Sequence, residues 1–351
     1  MWLQENMMKK LKGDWVQMRN KILAIGIPSY NASAYIDRCI ETFAHPDLFD
    51  RIEVIIVNDG SKDNTKELAE VYQMKYPQMV KVINKENGGH GSAVNAALYS
   101  TDAKYYKVVD VDDWVDTEAL IKLVDKLEIC DADIVSNSYH EVDMVTGLNK
   151  LIENCGIEYD KVYNLDEIDM SNIYLSIHST TYKTELLKQH NIHLQEKTFY
   201  VDVEYQLLPF PYVNTVMFCK ETVYKYMIGN VNQSVNVDNF VNRYDDHNRV
   251  VLRILDFLKN TPMKKTQHDY VYGVFEKVIY THYALSSIYD KNFERGRERS
   301  IKFDKVLKEE NPELYKFVGK KYSNIRRMRA KKFILKSKKN AKLRAIKTIL
   351  R

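Results

Sequence analysis

From Lys21 onward the chain alternates short apolar runs with stretches of helical period. Runs at 22–27, 52–57, 80–83 and 105–109 predict strands, with a fifth candidate at 133–137. Between them the pattern predicts helices at 34–44, 65–75, 92–99 and 118–127, the second with Leu68, Val71 and Tyr72 on one face. Strand and helix in strict alternation is the rhythm of βα units on a mostly parallel sheet. The rhythm breaks after Ser138, where 142–151 around Thr146-Gly147 predicts a hairpin and the Tyr- and Val-rich stretch 213–227 a pair of strands. Beyond Asn239 the period is helical almost throughout. Apolar residues at helical spacing in 1–20, interrupted by Gly13, predict an N-terminal helix packed on the body, and 322–350 predicts a last helix carrying Ile325, Met328, Leu335, Leu343, Ile346 and Leu350.

Composition changes this picture little. At 351 residues, 45% apolar and 28% charged, with 12 Gly and 7 Pro, the chain has room for a large core and no low-complexity or collagen-like character. The four cysteines show no metal-ligand or disulfide spacing, which predicts a reducing compartment without structural zinc. No apolar run reaches the length of a membrane span or a secretory signal, so the expected location is the cytosol. Charge is more informative. Fourteen of the 52 Lys and Arg, and none of the 48 acidic residues, lie between Lys320 and Arg351, leaving an acidic body with a cationic end. That end predicts a peripheral contact with an anionic membrane on its inner face; a solvated helix and, less favoured, nucleic acid are the rival readings.

Four motifs sit where strands end, the place at which open α/β sheets bind ligands. Ile25-Gly-Ile-Pro-Ser-Tyr-Asn31 closes the first strand, bringing Pro28 and Tyr30 to the edge of a crevice, unless it is an ordinary strand-to-helix turn. In Asn58-Asp-Gly-Ser-Lys-Asp-Asn-Thr65, Gly60 permits a sharp turn, Asn64 with Glu67 fits a capping box, and Asp59 points out of a strand end, either toward a nucleobase N–H or as a simple helix cap. Lys85-Glu-Asn-Gly-Gly-His-Gly91 is glycine-rich and opens a helix, a favourable seat for phosphate oxygens, but lacks the residues of a P-loop. Asp110-Val-Asp-Asp-Trp114 crowds three carboxylates after a buried strand, where Mg²⁺ or Mn²⁺ is the natural counter-charge and an acidic helix cap the bland alternative.

In this order and spacing over 22–114, P-S-Y-N, N-D-G-S-x-D-x-T, N-x-G and D-x-D-D resemble the donor half of family-2 glycosyltransferases with the GT-A fold, of the bacterial polysaccharide type. The resemblance implies an α/β GT-A nucleotide-sugar-binding domain over 21–230, divided into a donor half at 21–138 and an acceptor half at 139–230. It is preceded by an extension at 1–20 and followed by a helical C-terminal region at 231–319 and the basic helical tail at 320–351. It implies a UDP-sugar donor contacted by Pro28, Tyr30, Asp59, Lys85, Gly89, Asn95 and Asp110. The cofactor would be Mn²⁺ or Mg²⁺ on Asp112, with Asp110 and His247 as further ligands and Asp113 as a neighbour. Val94 replaces the arginine of many relatives beside Asn95, which leaves its diphosphate contact to Lys85 or a backbone amide, and His90 receives no role. The catalytic base matches Asp202, with Val201 in place of the usual Glu and Glu204 as the alternative. His178 falls on the acceptor side. Without Q-x-x-R-W or membrane spans, the implied activity is inverting, metal-dependent transfer of a single sugar to a glycan or lipid-linked acceptor in cell-surface polysaccharide synthesis. A nucleotidyltransferase and a non-catalytic nucleotide-sugar-binding protein are the alternatives.

Overall fold

The computed structural model describes residues 21–229 and 237–329. The expected helix at 1–20 and the tail from 330 lie outside the described residues. Every expected strand forms: β1 (Leu23–Ser29), β2 (Ile52–Asp59), β3 (Val80–Lys85), β4 (Tyr105–Val108) and β6 (Ile134–Asp143), with the short β5 (Trp114–Val115) between the last two. The helices between them are α1 (Ile36–Glu41), the single turn α2 (Pro46–Phe49), α3 (Thr65–Lys75), α4 (His90–Tyr99) and α5 (Thr117–Ile129). β7 (Asn149–Ile152) pairs antiparallel with β6 as the expected hairpin, its turn closed by the Asp143 carboxylate accepting from the amides of Val145 and Thr146. β8 (Val162–Asn164), β9 (Thr180–Lys183), α6 (Thr184–Gln189), α7 (Asp202–Leu207) and β10 (Thr215–Ile228) complete the α/β part.

All ten strands join one mixed sheet in the order β3-β2-β1-β4-β9-β6-β10-β5, with β7 beside β6 and β8 beside β10. β3, β2, β1 and β4 are mutually parallel, β9 is antiparallel to both neighbours, and β10 runs parallel to β6. The chain leaves β1 toward β2 on one side and returns as β4 on the other, so the strand order reverses between β1 and β4. Both faces are covered: Leu23, Ile25 and Ile27 face one core with α1, α3 and α5, while Ala24, Ile55 and Val57 face the other with α4. That explains why β1, β2 and β4 are apolar at most consecutive positions. Gly26 is required by this packing, because a methyl there would collide with the Tyr106 hydroxyl and Ala97 of α4.

Three local expectations are corrected. The stretch 213–227 is one long strand, bent by register shifts between Cys219 and Tyr224, because β6 offers it a partner along most of its length. α3 buries Thr65, Ala69 and Tyr72 and leaves Val71 exposed. Its N-terminus has no Asn64 side-chain cap; Asp63 instead accepts from the amide and hydroxyl of Thr65 and from the amide of Ser33.

Beyond 237 the described chain is helical: α8 (Val237–Asn242), α9 (Tyr244–Asn260), α10 (Lys265–Ala284), α11 (Phe293–Glu310), α12 (Pro312–Lys321) and α13 (Ser323–Arg329). Val250, Val251, Ile254, Leu255 and Leu258 give α9 one apolar face, and Tyr270 of α10 stacks on Phe210 at 4.0 Å, so these helices share the core on the α4 side of the sheet. The first part of the basic segment packs on the body. Ile325 is buried, Lys321 pairs with Glu276, and the Arg329 guanidinium donates to Asp304 at 2.5 Å. No helix among the described residues is long and apolar enough to cross a membrane.

Candidate active site

The loops after β1, β2, β3 and β4 all leave the same edge of the sheet, beside the reversal of strand order, which is where a doubly wound sheet opens a crevice. The first two are laced together. The amides of Asn31 and Ala32 donate to the hydroxyls of Ser61 and Thr65, and the Asn31 side chain accepts from the Lys62 amide. Pro28 is buried at the end of β1, and Tyr30 stands 48% exposed at the rim.

Asp59 organises the glycine-rich link. Its Oδ1 accepts from Lys85 Nζ at 2.8 Å and from the Gly88 amide at 2.9 Å, and its Oδ2 from the Gly89 amide at 2.7 Å. Gly89 holds a φ of 83°, in which only glycine is unstrained, and leads directly into α4. Lys85 is therefore engaged with Asp59 and is not the free cation expected for a diphosphate. Asn95 is also corrected: its amide donates to the Leu194 carbonyl at 2.9 Å and accepts from the Leu194 amide at 2.8 Å, a buried clamp between α4 and the following segment.

The acidic loop after β4 is held from three sides. Tyr224 donates to Asp113 at 2.5 Å and accepts from the Asp110 amide at 3.1 Å, while the other Asp113 oxygen accepts from the Met227 amide at 2.7 Å. Arg38 of α1 donates to the Asp112 carbonyl at 2.6 Å, its guanidinium lying 4.2 Å over the Trp114 ring. His90 Nε2 lies 2.8 Å from Asp110 Oδ1. Burial, and then the charge of Asp110, push the Asp112 carboxyl up to about 6. Burial with Asp112 and Asp110 raises Asp113 well above the carboxylate range. Burial would raise Asp110 too, but His90, by charge and hydrogen bond, holds it low.

Donor atoms of Asp110, Asp113 and His178 converge within 4.8 Å of one another. Burial lowers His178 to about 4, so it is a neutral ring; it stacks on Tyr226 at 4.2 Å, and its buried Nδ1 has no hydrogen-bond partner. An oxygen-rich group of like charges with an unsatisfied buried imidazole nitrogen fits a divalent cation. His178, placed on the acceptor side by resemblance, thus lies beside the acidic loop. His247 does not: it is buried against Tyr200 and Phe240, with its Nδ1 3.0 Å from that of His282, away from the converging donors.

Asp202 opens α7 and is solvent-reachable. Its crowded surroundings, and more weakly Asp110, raise its carboxyl, with His90 opposing. Glu204 is the reverse. It is fully buried, accepting from the Gln195 amide at 2.8 Å, Gln195 Nε2 at 2.5 Å and Arg253 Nη1 at 2.8 Å, and has no oxygen facing the cleft. The alternative base is therefore a structural tie.

Sequence reasoning passed over Arg38, Tyr224 and the His90–Asp110 contact. It also passed over Lys107, whose buried ammonium donates to the His178 carbonyl at 2.8 Å and to Asn137 at 3.2 Å. A lysine inside an apolar strand and a tyrosine-rich run were the available signals.

Residues 24–190 match the description "Glycosyl transferase family 2". Glycosyltransferase GlyG of Streptococcus pneumoniae is 29% identical over 148 residues, which cover 40% of this chain and 48% of GlyG, so the chain spans about half the length of that relative. Among solved structures, S. aureus TarS in complex with UDP-GlcNAc is similar at a TM-score of 0.63 and 18% identity, over 93% of this chain and 89% of that one. Mannosyltransferase PcManGT from Pyrobaculum calidifontis, in complex with GDP-Man and Mn²⁺, follows at 0.52 and 13%, over 90% and 88%. The sheet order, the four loops at its edge and these matches agree: the fold is GT-A, and residues 24–190 match glycosyl transferase family 2.

Proposed function

We propose that the protein transfers a single sugar from a UDP-sugar to a glycan or lipid-linked acceptor in cell-surface polysaccharide synthesis, with inversion at the anomeric carbon. The observation that carries this reading is a pair of acidic sites, the cluster Asp110-Asp112-Asp113 after β4, where Asp110 and Asp113 converge with His178, and the solvent-reachable Asp202. UDP-GlcNAc in the TarS complex supports a uridine nucleotide, and Mn²⁺ in the PcManGT complex supports a divalent ion.

Asp110, Asp112, Asp113 and His178 would hold Mn²⁺ or Mg²⁺, which when bound neutralises charge developing on the leaving diphosphate. Tyr30 borders the base. Asp59 shapes the glycine-rich link so that the α4 N-terminus faces phosphate oxygens. Asp202 takes the acceptor hydroxyl proton, and its raised carboxyl makes it a better base than an unperturbed aspartate. The family match ends before Asp202, so this assignment rests on its place at the start of α7 and its electrostatic link to His90 and Asp110.

The cationic stretch from 330, beyond the part that packs on the body, supports a contact with anionic lipid. The decisive experiment is a nucleotide-release assay across UDP- and GDP-sugars with Mn²⁺. Release from a UDP-sugar is expected. No turnover of any nucleotide sugar, with acceptor extracts supplied, would overturn the reading.

A further inference from the structure

The segment joining α6 to α7 carries three non-glycine residues in the left-handed region, Asn191 at φ 50°, Lys197 at φ 49° and Tyr200 at φ 68°. A bulky aromatic in that region is an outlier, and such outliers persist only where surrounding contacts over-determine them, often beside ligands. Here the contacts are explicit. The Lys197 amide donates to the Gly88 carbonyl, its own carbonyl accepts from Arg249 at 2.8 Å, and Tyr200 stacks on Phe240 at 4.2 Å.

The result is to display the residue between them. Phe199 is 43% exposed, next to a fully ordered set of anchors, and Arg243 lays its guanidinium 3.5 Å over the ring. One face of Phe199 is thereby covered by a cation and the ring is held in place. Phe199 is three positions before Asp202, and its segment meets the glycine-rich link through the Lys197 backbone, which sets it next to the loops of the candidate site. Neither Lys197 nor Arg243 forms an ion pair with a carboxylate of the described residues, whereas the neighbouring Arg249 is neutralised by Asp246 and Arg253 by Glu204.

A half-exposed aromatic under the Arg243 guanidinium, with the exposed Lys197 two positions along the chain and neither cation paired to a carboxylate of the described residues, has a specific complement: a sugar ring to lie on the aromatic and an oxyanion to meet the cations. We infer that Phe199, Arg243 and Lys197 form an acceptor subsite for an anionic glycan, the ring of its terminal sugar stacking on Phe199 and a phosphate or carboxylate substituent meeting Arg243 and Lys197. This rests on the transferase reading and adds the chemical class of the acceptor.

The test is saturation-transfer NMR on the full chain with UDP and Mn²⁺ present. The probes are monosaccharide 1-phosphates, methyl uronides and neutral methyl glycosides of common hexoses. At least one anionic series is expected to bind through its ring protons more tightly than the neutral glycosides, and the two anionic series tell phosphate from carboxylate. Phe199→Ala should weaken that binding at least ten-fold, Phe199→Trp should retain it, and Arg243→Gln with Lys197→Gln should level anionic and neutral probes. Equal binding of neutral glycosides by the wild type, no saturation of any probe, or an unchanged Phe199→Ala would each overturn the inference. UDP affinity measured separately by calorimetry keeps the two readings apart. Failure of the wild type to bind UDP refutes the donor site, whereas UDP bound with sugar binding indifferent to Phe199 refutes only the subsite.

Discussion

Asp202 and Glu204 lie two residues apart on one short helix, and the structure gives them opposite environments, which makes their exchange of roles testable. Glu204→Gln removes a buried charge that holds Arg253 and both Gln195 donors. Breaking one partner of a buried pair costs about 3–5 kcal/mol, and the one-third exposure of Arg253 (35%) brings this down to about 2–3 kcal/mol. With an unfolding entropy of about 2.1 cal/mol/K per residue, a chain of this length should melt about 3–4 °C lower. Transfer at a temperature well below the melt should stay within a few-fold of wild type. Asp202→Asn should do the reverse, leaving the melting temperature nearly unchanged while kcat falls by about 10² to 10⁴, the range for loss of a general base. Differential scanning calorimetry and initial-rate kinetics on the two variants decide it. An intact melt with abolished transfer for Glu204→Gln, or near-normal kcat for Asp202→Asn, would refute the reasoning.

Further expectations follow from the same geometry. Asp112→Ala should abolish the Mn²⁺-dependent part of UDP binding, read by calorimetry with and without the ion; equal enthalpies in both conditions would move the ion elsewhere. Burial holds His247 at about 4 and His282 well below the usual imidazole range, while the unfolded chain protonates histidine near 6.5. The unfolded state then binds more protons between those values, so urea stability should fall as pH drops from 6.5 toward 4, and His247→Asn should flatten that slope. Lys107, lowered by burial to about 7, gives the same sign at higher pH: stability should rise between 7 and 10.5, less so in Lys107→Met. For the basic segment, liposome flotation should be compared between the full chain and one truncated after Arg329, since 323–329 already packs on the body. Equal flotation on anionic vesicles removes the lipid contact.

The chain's apolar pattern was enough to find β1 to β4 and β6: β1, β2 and β4 are buried on both faces and so apolar at most consecutive positions, while the edge strand β3 carries Lys81 and Lys85 among its apolar residues. The motifs at their ends were equally legible, since a ligand crevice at the edge of a parallel sheet needs turn formers, glycines and carboxylates directly after strands. Which of those side chains face the cleft was not legible, because that depends on partners far away in sequence. Asn95 is claimed by Leu194, Lys85 by Asp59, Glu204 by Arg253 and His247 by His282. His178 and Tyr224 reach the acidic loop only because the sheet brings β9 and β10 into register with β4 and β6. Local sequence determines backbone period and which chemistry a strand end carries. Long-range packing decides which polar atoms are satisfied inside the fold and which are left to meet a ligand, since each buried polar group must find its partner wherever the chain happens to supply one.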